Sequence, residues 1–189
     1  MPLWGITDES KPKWLTDAQK KEVYANESGW VVEGGSTMTG NGNADAQPEV
    51  LACIGDLADR LQSGTITQVE LPTSYSDGTG GPFDVIIRYN EAVDVDTENG
   101  TPSILITNDT SARNLTATYH AGTGTNEITF RKANAQTVLV AGDKLTIVAA
   151  SPYIALNSGT IKDKGTTTNS EVNVSSAIAN ASGELEVAA

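Results

Sequence analysis

The chain has 189 residues, with 24 acidic against 12 basic side chains and a formal charge of −12. Nucleic-acid binding needs Lys and Arg to neutralise phosphate, so this balance argues for no nucleic acid among the partners. No apolar run approaches the roughly 20 residues of a membrane span, so no membrane partner is expected either.

The single cysteine, Cys53, excludes an intrachain disulfide. Its setting, Val50-Leu51-Ala52-Cys53-Ile54, suggests a buried and inert thiol. The opening Met1-Pro2-Leu3-Trp4-Gly5 has no basic n-region and no long apolar stretch, so a secretory signal is not expected. A chain of this length holds one domain of roughly 100–120 residues and a smaller part. A change of texture places the smaller part at residues 1–64 and the main domain at 65–189.

All three tryptophans, Trp4, Trp14 and Trp30, lie in the first part. Pro2 and Pro12 keep the start extended, since proline disfavours helix in the residue before it. Lys11-Pro12-Lys13-Trp14 then reads as an arm with basic and aromatic anchors, and with Trp4 and Trp30 it forms a candidate docking set. Thr16-Asp17-Ala18-Gln19 carries the residues of a capping box and predicts a short helix running to about Ala25. Gly34-Gly35 and Gly40-Asn41-Gly42-Asn43 mark an exposed loop. The Val50–Ile54 run suggests a strand, and the spacing of Leu57, Ala58 and Leu61 suggests a short helix after it.

From Phe83 onward the pattern has period two. Val85, Ile87 and Tyr89 alternate with mostly polar neighbours, as do Ile104 and Ile106, Ile128 and Phe130, and Leu145 and Ile147. Strand side chains change face at every residue, so each run has one core face and one wet face. Asn99-Gly100, Gly122-Thr123-Gly124 and Gly142-Asp143 supply turns between them. Val172 with Val174 and Leu185 with Val187 suggest one or two last strands. Together these predict a mainly β chain: an antiparallel β-sandwich with a small irregular N-terminal α+β and extended-arm region.

Chemistry is sparse. The one histidine, His120, has no nucleophile motif to serve, and no phosphate loop or His/Cys metal spacing is present. No catalytic residue, cofactor or metal is therefore expected. Asp94-Val95-Asp96-Thr97-Glu98-Asn99-Gly100 concentrates oxygen ligands but lacks the spacing of a calcium loop, and reads better as a charged hairpin. Several of Tyr75, Phe83, Tyr89, Tyr119, Phe130 and Tyr153 occupy core-facing positions, which leaves few aromatics for a sugar platform.

Two stretches resemble known groups. The run from Phe83-Asp84-Val85-Ile86-Ile87 through Gly122-Thr123-Gly124-Thr125-Asn126-Glu127-Ile128-Thr129-Phe130 to Asn157-Ser158-Gly159-Thr160-Ile161 resembles a bacterial and phage surface immunoglobulin-like repeat. It departs from that repeat after Phe130, at Arg131-Lys132-Ala133-Asn134-Ala135-Gln136. Leu3-Trp4-Gly5, Ser10-Lys11-Pro12-Lys13-Trp14-Leu15 and Pro48-Glu49-Val50-Leu51 are similar to openings of tailed-phage virion structural proteins. The resemblance implies a non-enzymatic virion protein, best read as a capsid decoration or cement protein. Its partners would be the major capsid protein or other virion proteins, with self-association on the particle. It would be assembled in the host cytoplasm and sit on the capsid exterior. The other readings are a neck, tail or fibre-attachment component, or an adhesion module that binds a host-surface glycan.

Overall fold

The computed structural model describes residues 11–61, 63–78 and 81–189. Within them the chain is mainly β and mostly antiparallel. The first elements are α1 (Asp17–Lys21), β1 (Val23–Asn26), β2 (Gly29–Val32), β3 (Glu49–Cys53) and α2 (Leu57–Leu61). Then come β4 (Ile66–Glu70), β5 (Phe83–Asp96), β6 (Ser103–Asn108), β7 (Leu115–Ala121) and β8 (Thr125–Lys132). The chain closes with β9 (Lys144–Thr146), β10 (Thr160–Asp163), α3 (Ser176–Ala181) and β11 (Glu184–Glu186). Hydrogen bonding runs in the order β11-β9-β6-β7-β8-β5-β1-β2-β3, with β4 and β10 also paired to β5.

Strand β5 is the hub. Its first half pairs with β8 from Phe83 to Arg88 and with β4 from Ile86 to Tyr89. Its last four residues, Val93 to Asp96, pair with β10. Between the halves the register with β8 jumps from Arg88↔Glu127 to Val93↔Thr125, so the strand bulges at 89–92. The parallel pairing Ala25↔Glu91 attaches β1 there. Burial follows the same division. It alternates along Phe83–Arg88, then Tyr89, Asn90 and Glu91 are buried in succession. Both faces of β5 are covered at the bulge.

Two apolar clusters result. The larger collects Val85 and Ile87 of β5, Ile104 and Ile106 of β6, Ile128 and Phe130 of β8, Leu145 of β9 and Leu185 of β11. These are the positions that the period-two pattern predicts. Tyr75, Phe83, Tyr89, Phe130 and Tyr153 are buried as expected, while Tyr119 is half-buried. Tyr89 also donates its hydroxyl to the Glu171 carbonyl at 2.8 Å. The smaller cluster holds Leu15, Val23, Ala25, Trp30, Val32 and Leu57.

Asp143 ties the far end together. Its carboxylate accepts from Arg113 Nη2 at 2.8 Å and from the Val140 amide at 2.9 Å. Burial acts to raise its pKa, but these hydrogen bonds prevail and hold it down at about 2.

The chain differs from expectation at three points. The Thr16 capping box forms, with Thr16 Oγ1 accepting from the Gln19 amide at 3.2 Å, but the helix ends at Lys21 instead of near Ala25. Val23-Tyr24-Ala25-Asn26 pairs with β2, and interstrand pairing outcompetes a helix too short to be stable alone. Cys53 is exposed, not buried. It ends β3, which lies at the edge of the sheet, where Glu49 and Val50 are exposed too. Val172-Asn173-Val174 forms no strand: Val174 makes a single bridge to Ala150 before α3 begins.

Trp30 is the largest fully buried side chain among the described residues and the centre of the smaller cluster. Truncating it removes that centre while leaving the larger cluster intact. Trp30→Ala is expected to destabilise the chain by about 3–5 kcal/mol, read by chemical denaturation. A loss below about 1 kcal/mol would show that the smaller cluster contributes little.

Candidate functional site

The six expected docking residues fall into three situations. Trp4 lies outside the described residues. Lys11, Pro12 and Trp30 are buried. The Lys11 ammonium donates to the Lys20 carbonyl at 3.0 Å and sits 5.9 Å from the centroid of the Trp30 ring. Lys11 and Trp30 therefore build the N-terminal core instead of presenting a surface, which corrects their reading as free anchors. Burying an indole with no exposure in a partner would first require unfolding that core. Lys13 and Trp14 remain outside, and Trp14 is 64% exposed. Its base is firm: the Leu15 amide donates to the Pro12 carbonyl at 3.2 Å, Leu15 is buried, and the capped α1 follows directly.

A second feature has no counterpart in the sequence reading. A cleft of about 1280 Å³ opens where the β1–β2 hairpin meets the β5 bulge. Tyr24 and Ala25 of β1 form one wall, and Ala44, Ala46 and Pro48 form part of another. Across from them stand Glu91 and Ala92 of β5, Thr125 and Asn126 of β8, and Asp163 with the Lys164–Thr166 turn after β10. Three of these polar side chains are almost wholly buried: Glu91 at 2%, Asn126 at 3% and Asp163 at 4% exposure. Asp163 Oδ1 accepts from the Gly64 amide at 2.6 Å and from Ser170 Oγ at 2.7 Å. Its Oδ2 has no partner, and neither has Asn126 Nδ2.

At one side of the cleft Arg88 gathers three carboxylates from three strand-bearing segments. Its guanidinium reaches Glu33 Oε2 at 3.0 Å and Glu70 Oε1 at 3.6 Å, and pairs closely with Glu127. It also donates to the Lys21 carbonyl at 3.2 Å, so it fastens the N-terminal hairpin to the hub strand. The Arg88 side chain is only 12% exposed. Burial works against its charge, but the carboxylates outweigh that and raise its pKa. One cation among three carboxylates leaves the group short of positive charge. Desolvation, with Glu33 and Glu70 adding to it against the pull of Arg88, pushes Glu127 up to about 7.

The candidate metal residues do not come together. Asp94 accepts from the Gly165 amide and Asp96 from the Glu98 amide, each as a turn cap. The turn carboxylates outside that segment are engaged as well: Asp109 bonds Thr146, Asp143 bonds Arg113, and Asp163 bonds Gly64 and Ser170. Among the described residues no group of three or more His, Cys, Asp or Glu side chains could hold a metal ion. His120 is exposed on β7.

The Glu127 shift has a definite sign. Its folded pKa lies above the ordinary value of 4.5, so between 4.5 and about 7 the folded chain holds more protons than the unfolded one. Stability from this group is thus present at low pH and is lost as pH rises through that window. Glu127→Gln keeps the shape without the charge, and Arg88 retains Glu33 and Glu70. Thermal melts are expected to show the variant gaining on the wild type as pH rises from 4.5 to 7. A difference that stays constant over that window would contradict the raised pKa of Glu127.

No protein family, no curated protein and no solved structure matches the chain.

Proposed function

We propose that the chain is a non-enzymatic structural protein of a tailed-phage virion, a decoration or cement protein of the capsid exterior. The observation that carries this is Trp14. A large apolar ring, mostly in water, stands on a clamped turn beside Lys13 at the head of the chain. Exposed rigid aromatics of this kind lose little entropy on docking and supply much contact area. A groove between shell subunits would receive it, and particle symmetry would repeat the contact many times.

The remainder suits an outward-projecting immunoglobulin-like sandwich. Strands β4 to β9 and β11 turn one apolar face into a single cluster. Besides loops, the six-residue α3 and one short 3-10 turn at Ala135–Thr137 are the helical pieces that cover that face. A sheet so sparsely covered by helix buries its face against another part of itself. The charge of −12 keeps neighbouring copies apart and the particle soluble.

Trp14→Ala is expected to weaken binding to bare capsids by about 2 kcal/mol or more, roughly thirtyfold, with an unchanged melting temperature. Co-sedimentation with particles lacking the protein measures it. Wild-type occupancy by the variant would overturn the proposal.

A further inference from the structure

The chain carries two Asn-Gly steps, Asn41-Gly42 in the loop between β2 and β3 and Asn99-Gly100 in the turn between β5 and β6. Glycine sets no side chain beside its own amide, so that nitrogen can approach the side-chain carbon of the asparagine before it. We infer that Asn41 is a site of spontaneous covalent modification, converting in the folded chain to a mixture of aspartate and isoaspartate, while the fold protects Asn99 in the same dipeptide.

The chemistry needs water and no enzyme. The Gly42 nitrogen gives its proton to solvent base and attacks Asn41 Cγ. A new N–Cγ bond closes a cyclic imide, and the side-chain nitrogen takes up a proton and leaves as ammonia. Water then opens the ring at either carbonyl. One opening restores the peptide bond with aspartate at 41. The other routes the backbone through the side chain as isoaspartate, longer by one methylene. No atom changes oxidation state, and either product adds one negative charge.

The attack needs an unengaged nucleophile, an open side chain and room to rotate. Asn41-Gly42 meets all three. Both residues are exposed. The Gly42 amide has no acceptor among the described residues, and a Cβ built on Gly42 would meet nothing within 4 Å. Asn41 Oδ1 accepts from the Asn43 amide at 3.2 Å, a hydrogen bond on the oxygen that takes up negative charge as the nitrogen attacks. The loop is gripped below this tip. A Cβ on Gly34 would fall 2.4 Å from the Ala46 carbonyl oxygen, one on Gly35 would fall 3.0 Å from Ala44 Cα, and the Ala46 amide donates to the Asn43 carbonyl at 3.1 Å. Residues 40–42 can therefore rotate without disturbing the base.

Asn99-Gly100 fails on the nucleophile and on the room. The Gly100 amide donates to the Thr97 carbonyl at 3.3 Å. Gly100 is wedged against the turn at 157–159, where a Cβ would fall 1.6 Å from the Asn157 carbonyl oxygen. Asn157 Nδ2 fastens that turn to the Thr101 carbonyl at 3.0 Å and to Ser103 Oγ at 2.9 Å. Swinging the Gly100 nitrogen onto Asn99 Cγ would break this packing.

The test incubates the full chain at mildly alkaline pH, folded and in urea, and follows both asparagines by peptide mapping with mass spectrometry. Folded, Asn41 is expected to convert at least about tenfold faster than Asn99, the scale of protection that one hydrogen bond can impose. In urea the two rates should converge, because the dipeptide is the same. Gly42→Ala should slow conversion at 41 and leave the melting temperature unchanged, since the added Cβ has open space and the Gly42 φ lies outside the left-handed region. Three results would each overturn the inference: folded Asn99 converting as fast as Asn41, a rate difference that persists in urea, or a Gly42→Ala chain that converts at 41 as fast as the wild type.

Discussion

The interrupted pairing of β5 governs the rest of the molecule. A 14-residue strand that stayed regular would present one face to a single core. The bulge at 89–92 re-aims it, so that β8 and β4 hold its first half while β10 holds its last residues. The gap admits β1, and through it the whole β1–β2–β3 unit, by way of Ala25↔Glu91. Arg88 stands at the start of the bulge and spans the same junction, bonding Lys21 and Glu33 on the N-terminal side and Glu70 and Glu127 on the other. The larger apolar cluster is built on β5 and the smaller one on the unit that β1 attaches to it, and the cleft opens where β1 meets the bulge.

A cluster of this kind is an expensive way to join two units. Withdrawing a guanidinium and three carboxylates from water costs several kcal/mol per ion, and well-packed apolar residues would often do as well. What the ions add is orientation. Arg88 accepts only an arrangement in which β1–β2, β4 and β8 all deliver acceptors to one point. The surplus carboxylate makes the junction sensitive to pH near neutrality, because Glu127 is pushed up to about 7.

The strands of the main domain were legible because each has one wet face. Val85-Ile86-Ile87-Arg88-Tyr89 and Ile128-Thr129-Phe130 carry alternation that survives into burial. The flanking glycines mark real turns: Gly122 and Gly124 take positive φ at the β7–β8 hairpin. The β1–β2 hairpin was not legible, since all four residues of β2 are buried and no alternation is left to read. The Val50–Ile54 run looked like core because its composition is apolar, but composition cannot reveal that β3 would be an edge. Helix α3 escaped because Ser176–Ala181 buries only Ala179 and shows no apolar stripe, although Ser175 caps it. The cleft could not be found from spacing. Tyr24, Glu91, Asn126 and Asp163 meet only through the parallel β1–β5 pairing and the bulge, neither of which leaves a local pattern. The one available hint was Glu91, a charged residue in the apolar phase of an alternating strand.

Arg88 fastens the N-terminal unit to the hub strand. Native-state hydrogen exchange on an Arg88→Leu variant tests it most directly. The amides of β1 and β2 should lose protection while those of β6 and β7 keep theirs, because the larger cluster does not depend on the junction. Unchanged protection in β1 and β2 would contradict the account, as would an equal loss throughout the chain.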